Sequence, residues 1–180
     1  MSKSKILFQL TGSIACYKSA VLISRLVQNG YEVQTVCTPS ALEFIGAATL
    51  EGLTGKKVFS HLFKPGQMMD HIHLAKWADL AILCPATAHS INRLALGLAD
   101  DCIGALFLAY DFKKPYLVAP AMNQAMFQHP ATQAALGKLE SWSVQILPTD
   151  VGHQACGDEG PGRLLDPEKI YLEIMRRTSS

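Results

Sequence analysis

Short apolar runs bounded by turn residues alternate along this chain with longer stretches of amphipathic spacing. Lys5 to Leu10 (KILFQL) reads as a buried strand. It leads into Thr11-Gly12-Ser13 and a helical pattern from Ile14 to Gln28. Asn29-Gly30 closes that helix, because glycine accepts the left-handed conformation a helix end requires. Tyr31 to Cys37 (YEVQTVC) is a second strand, and Thr38-Pro39-Ser40 opens a helix through Leu50. Gly52 to Met69 shows no clear period and reads as loop. Asp79 to Cys84 (DLAILC) is a third strand. A helix follows from Pro85-Ala86-Thr87 to Leu98, then an apolar helix from Asp101 to Tyr110. Pro115 to Ala119 (PYLVA) is a fourth strand, Gln124 to Leu139 a helix, and Ser143 to Leu147 (SVQIL) a fifth strand. A glycine-rich loop, Gly152 to Gly162, precedes a last helix from Pro167 to Arg177.

Apolar strands alternating with helices predict an α/β fold. The expected architecture is a doubly wound parallel sheet covered on both faces, with right-handed crossovers. No repeat, low-complexity tract or linker interrupts the pattern, so the 180 residues predict a single domain. Composition agrees: 49% apolar and 17% charged residues are a globular balance, far from the disordered class. With 16 basic against 15 acidic residues, the chain carries no electrostatic footprint of a nucleic-acid or membrane partner. No apolar run approaches the roughly 20 residues that span a bilayer. The first residues lack the pattern of a secretory signal. The five cysteines are an odd number and read as reduced thiols of a cytoplasmic protein. Cys16, Cys37, Cys84 and Cys102 sit in apolar segments and read as packing. No C-x-x-C pair suggests zinc. His71 and His73 stand two apart, a spacing that aligns side chains on a strand but not on a helix, so no metal is expected.

In open α/β sheets, ligands sit beyond the carboxyl ends of the strands. Those ends here are Thr11-Gly12-Ser13-Ile14, Thr38-Pro39-Ser40, Pro85-Ala86-Thr87-Ala88-His89-Ser90 and Pro120-Ala121-Met122-Asn123. Small and hydroxylated residues recur at this edge, each before a helix whose first N–H groups lack partners. Such donors, with the helix dipole, favour an anion such as phosphate. Any single turn is an ordinary N-cap. Capping does not require all four to be small, and their coincidence points to a ligand. No Gly-x-Gly-x-x-Gly is present, so a mononucleotide fits better than a dinucleotide.

Five segments, in order over nearly the whole chain, resemble the homo-oligomeric flavin-containing cysteine decarboxylases. Gly12 to Lys18 resembles that family's first flavin-phosphate turn. His71-Ile72-His73-Leu74, with Trp77-Ala78-Asp79, resembles the segment of its active-site histidine. Pro85 to Ser90 resembles its PASANT motif, and Pro120 to Phe127 its PxMNxxMW motif. Ala155 to Arg163 resembles its substrate clamp, in the form of the pantetheine branch. Two positions depart: His89 replaces the PASANT asparagine, and Phe127 replaces a tryptophan and so lacks the indole N–H.

The resemblance implies a flavodoxin-like fold with bound FMN. It implies flavin contacts from Gly12, Ser13, Ile14, Thr38, Ser40, Thr87, Ala88, His89, Ser90 and Ala121. His71, Asn123 and Cys156 would be catalytic, and Asn123, Ala155, Cys156, Gly157 and Arg163 would meet the substrate. The substrate would be 4'-phosphopantothenoylcysteine, decarboxylated to 4'-phosphopantetheine on the route to coenzyme A. The assembly would be a homotrimer or a dodecamer of trimers, with the flavin near a subunit boundary. Bacterial relatives often carry a second domain that makes the substrate; that activity would here lie on another chain or be lost by truncation. Oxidised FMN would take electrons from the cysteine CH–S unit to give a thioaldehyde, which accepts the electrons left as carbon dioxide departs. Asn123 suits the substrate carboxylate, His71 suits proton transfer, and the Cys156 thiol suits donating a proton as the electrons return. Arg163 can pair with Asp158 or Asp166, or meet the substrate phosphate. Two other functions share much of this pattern: decarboxylation of a peptide ending in cysteine, and a non-catalytic FMN-binding regulatory subunit.

Overall fold

The structure, a computed structural model, describes residues 4–63, 68–153, 157 and 159–178. Strand β1 (Lys5–Leu10) alternates its side chains between two covered faces. Ile6, Phe8 and Leu10 point to one apolar cluster and Leu7 to the other. Helix α1 (Cys16–Gln28) returns along the first face, burying Cys16, Ser19, Leu22, Ile23 and Leu26, a helical spacing. It begins two residues later than predicted, because Ser13 accepts hydrogen bonds from Ala15 N–H on its side chain and Cys16 N–H on its carbonyl. Strand β2 (Glu32–Cys37) follows.

The predicted helix over residues 38–50 is instead two pieces, α2 (Pro39–Leu42) and α3 (Ala47–Thr54). Gly46 is extended between them and caps the second. Thus α3 reaches into the stretch predicted as loop and stops at Gly55, with φ of 68°. Helix α4 (Asp70–Trp77) then leads to β3 (Leu80–Ala86), which is buried throughout. Lys114 closes α4 by donating to the carbonyls of Lys76 and Ala78, at 2.9 and 2.6 Å. Helix α5 (Ala88–Ala95) ends before Leu98, because Gly97 takes φ of 70°. Helix α6 (Cys102–Ala109) is capped by Asp101, whose carboxylate accepts from Gly104 N–H at 2.8 Å. Phe107 seats α6 edge-on against Phe112 and Tyr116, ring centres 5.0 and 5.2 Å apart. Each such pair contributes about 1 kcal/mol beyond burial.

Strand β4 (Tyr116–Pro120) is followed by α7 (Gln124–Gln128) and α8 (Pro130–Ser141), where a single helix was predicted. Pro130 has no N–H to continue α7 and forces His129 into extended geometry, ψ 132°. The fifth strand is short, β5 (Gln145–Ile146), because Ser143 is still in a left-handed turn, φ 68°. The stretch read as a glycine-rich loop pairs as an antiparallel ribbon, β6 (Asp150–His153) with β7 (Glu159–Arg163). Helix α9 (Pro167–Thr178) closes the fold against α1, held by the Arg25–Glu168 ion pair.

The five-stranded sheet is parallel throughout, in the order β2-β1-β3-β4-β5. That is the flavodoxin-like doubly wound order, whose switch point lies between β1 and β3. The sheet divides the core in two. Helices α1 and α9 cover one face, while α4, α5, α6 and α8 cover the other.

Candidate active site

The carboxyl ends of β1, β2, β3 and β4 open on one cavity of about 760 Å³. From the first loop Gly12, Ser13 and Ile14 line it; from the second, Thr38 and Ser40. The third loop supplies Thr87, Ala88, His89 and Ser90, and the fourth Ala121. All the residues expected to meet a flavin therefore face one space, although the sequence spreads them over a hundred positions.

Close approach makes this possible. A Cβ on Gly12 would lie 2.7 Å from Ser40 Cβ and 2.8 Å from its Oγ, so only glycine lets the first two loops meet. Thr38 caps α2 by accepting from Ala41 N–H at 3.1 Å, and its hydroxyl lies 3.1 Å from Ser40 Oγ. Thr87 caps α5, and its hydroxyl donates to Ser90 Oγ at 3.3 Å. Buried Thr11 joins the first loop to the third: its hydroxyl donates to Pro85 O at 2.6 Å and accepts from Thr87 N–H at 3.0 Å. The fourth loop is tied in turn by Ala121 N–H to Ala86 O, 2.9 Å. The result is a cradle of glycine, hydroxyls and the N-terminus of α5, the chemistry that receives a phosphate monoester.

Sequence reasoning missed Pro39, Phe44, Arg93, Asp101, Met122 and Met126, which complete the lining. Met122 and Met126 lie four residues apart around Asn123, inside a segment already singled out. Phe44 was hidden within a helix that in fact breaks there. Arg93 pairs with Asp100 and with Asp101, the latter at 3.4 Å, so its charge is balanced within the wall. His89, one turn earlier, places Nε2 3.4 Å from an Arg93 nitrogen. This is the imidazole that stands where the resembling motif has an amide.

Asn123 caps α7: its Oδ1 accepts from Met126 N–H at 2.8 Å. The amide oxygen is thus committed, and among the described residues the Nδ2 hydrogens meet no acceptor. Asn123 is not among the lining residues, although Met122 beside it is; His71 belongs to another element. It lies in the first turn of α4, half-buried and outside the cavity lining. Its Nδ1 is buried with no hydrogen-bond partner among the described residues. His73, on the same helix, is exposed, so the two imidazoles face apart as helical geometry requires. Ala155, Cys156 and Asp158 lie outside the described residues. Gly157 is exposed, with φ of 91°. Arg163 lays its guanidinium across Gly152, and among the described residues no ion pair joins it to Asp166. The Asp166 carboxylate accepts instead from Glu168 N–H at 2.8 Å.

Cys16, Cys37, Cys84 and Cys102 are buried free thiols. Burial pushes Cys84 and Cys102 up to about 12 and raises Cys16 and Cys37 as well. All four stay protonated at neutral pH and serve the core. Among the described residues, no cluster of three or more His, Cys, Asp or Glu could hold a metal ion. No described helix is long and apolar enough to cross a membrane.

Comparison with known proteins agrees with this geometry. The Flavoprotein family profile matches residues 1–179. The coenzyme A biosynthesis bifunctional protein CoaBC of Vibrio vulnificus is 44% identical over 172 residues, 94% of this chain and 42% of that protein. The chain therefore spans about two fifths of the length of these bifunctional relatives. A probable phosphopantothenoylcysteine decarboxylase of Streptococcus mutans is 38% identical, covering 94% of this chain and 96% of that one. Among solved structures, a cysteine-to-serine mutant of PPC decarboxylase complexed with pantothenoylaminoethenethiol superposes with a TM-score of 0.88. It is 30% identical and covers 99% of this chain and 100% of that one.

Proposed function

The chain belongs to the flavoprotein family, and from that premise we propose that it decarboxylates 4'-phosphopantothenoylcysteine to 4'-phosphopantetheine with bound FMN. The observation that carries this reading is the cavity itself. Its walls are three hydroxyl-bearing loops at the switch-point edge, and its fourth loop leads into Asn123. The glycine that lets two of those loops meet leaves a cradle that suits the FMN phosphate, with Ser13, Ser40, Thr87 and Ser90 as its polar partners. Ile14, Phe44, Met122 and Met126 give the apolar contact a flavin ring needs. Bound there, FMN supplies a reversible two-electron sink for the cysteine CH–S unit.

Asn123 holds the substrate carboxylate through its free amide hydrogens. A neutral donor suits this task. A cation would stabilise the ionised ground state and lose that stabilisation as carbon dioxide leaves. Cys156 returns a proton to the ene-thiolate, a role within the chemistry of a thiol, which carries an S–H donor. The complex of a cysteine-to-serine PPC decarboxylase with pantothenoylaminoethenethiol, an ene-thiol, supports that assignment. Cys156→Ser is expected to release carbon dioxide yet accumulate an oxidised ene-thiol two mass units below the normal product. Mass analysis of the product pool checks this, and ordinary 4'-phosphopantetheine at the native rate would remove Cys156 from the mechanism.

His71 lies outside its own chain's cavity, so we assign its proton-transfer role to the cavity of a neighbouring copy. This accords with a homotrimer or a dodecamer of trimers. Tyr17 and Val21, each about 60% exposed on one side of α1, offer apolar surface for such an assembly. We place the enzyme in the cytoplasm, where buried unpaired thiols persist.

The test is an absorbance spectrum of the protein after FMN loading, with carbon dioxide release from 4'-phosphopantothenoylcysteine and from a peptide ending in cysteine. Yellow protein that acts on the first and not the second is the expected result. Action on the peptide alone would move the chain to peptide decarboxylation. Flavin binding without either reaction would mark a regulatory subunit.

A further inference from the structure

We infer that Gly162 and Thr149 are positioning residues for Asn123, setting the register of the β6–β7 ribbon against the turn that carries its amide. The inference rests on the role given above to Asn123.

The ribbon is pinned to that turn by backbone. Met122 N–H donates to Gly162 O at 2.9 Å, and Gly162 N–H donates to Thr149 Oγ1 at 3.2 Å. One residue of β7 thus bridges the residue before Asn123 and the residue before β6. Gly162 is buried, with φ of 116°, a region side chains rarely enter. A Cβ there would lie 2.6 Å from Met122 O and 3.4 Å from Asn123 C and O. Those atoms are backbone and cannot swing aside, so a side chain would displace the Asn123 turn itself.

Gly160, two residues earlier on the same strand, provides an internal contrast. A Cβ there would overlap the end of the Gln124 side chain, and no left-handed φ holds it. That side chain can rotate away. The two glycines share the ribbon and the sequence context, yet only Gly162 bears on the position of Asn123. Misplacing a reacting group by about 1 Å can cost on the order of 100-fold in rate.

The experiment compares Gly162→Ala, Gly160→Ala, Thr149→Val and Thr149→Ser in the full chain. Three quantities are read: FMN affinity by fluorescence quenching, steady-state kcat and KM, and amide exchange at Met122 without flavin. Gly162→Ala is expected to lower kcat on the order of 100-fold. Thr149→Val should lower it about tenfold, the scale of one lost hydrogen bond. Thr149→Ser should restore it, and Gly160→Ala should lose less than Gly162→Ala. FMN affinity should hold in both Thr149 variants and in Gly160→Ala, since none of these positions lines the cavity. Exchange at Met122 should quicken in Thr149→Val and not in Thr149→Ser. Equal losses in Thr149→Val and Thr149→Ser, or in both glycine variants, would overturn the inference. So would native exchange at Met122 in Thr149→Val. Should the native protein not decarboxylate this substrate, the proposed function fails, while the exchange comparison still decides whether Thr149 holds the contact.

Discussion

Asn123→Asp is expected to keep the fold and the flavin and to lose catalysis, with kcat down by on the order of 100- to 1000-fold. The reason is the division of labour within one side chain. The amide oxygen caps α7 through Met126 N–H, and aspartate caps a helix as well as asparagine does. The Nδ2 hydrogens, which face no partner in that cap, are the donors proposed for the substrate carboxylate. Aspartate replaces them with an anionic oxygen opposite another anion. Losing one placed donor in an active site costs about 10² to 10³ in rate, and the added repulsion acts in the same direction. Thermal unfolding and FMN titration should match the native protein, and carbon dioxide release should not. Native turnover by Asn123→Asp would show that the amide hydrogens do not hold the carboxylate. A collapse of stability would show that the cap and not the donor is what matters here.

The second large effect concerns the cofactor. Gly12→Ala is expected to weaken FMN binding by about 30- to 100-fold, since overpacking a tight contact costs about 2–3 kcal/mol. The methyl would meet Ser40 Cβ at 2.7 Å and part the first two loops of the cradle. The strands behind those loops are buried and should not move, so the apoprotein should unfold close to the native midpoint. Gly137→Ala serves as the control. It lies in α8 with nothing within 4 Å of the added atom, and it should bind FMN normally while gaining up to about 1 kcal/mol of stability. FMN fluorescence titration with thermal melts of both variants decides the matter. Native affinity in Gly12→Ala would mean that the two loops can separate without harm to the site.

The ribbon shows where sequence reading reached its limit. Residues 159–163 are Glu-Gly-Pro-Gly-Arg, with no alternation of apolar and polar positions. A strand is legible through the face it buries. This one is held instead by backbone pairing to β6 and to the Met122 turn, and pairing between distant segments leaves no local period. The broken helices differ. Pro130 announced the split between α7 and α8, because proline restricts the residue before it. The α2–α3 break carried a comparable sign at Gly46.

What the chain determined by itself was the set of buried strands, their alternation with helices and the small, hydroxylated character of the loops that follow them. These are local properties, since burial on both faces demands apolar runs and helix entrances demand caps. The order β2-β1-β3-β4-β5 and the meeting of four loops on one cavity were decided only in three dimensions. So was the placing of His71 and Asn123, neither of which is among the residues that line that cavity. The physical reason is that side-chain period reports which face of an element is buried. Which other element buries it is settled by crossover geometry and by close contacts such as Gly12 on Ser40, made between residues far apart in the chain.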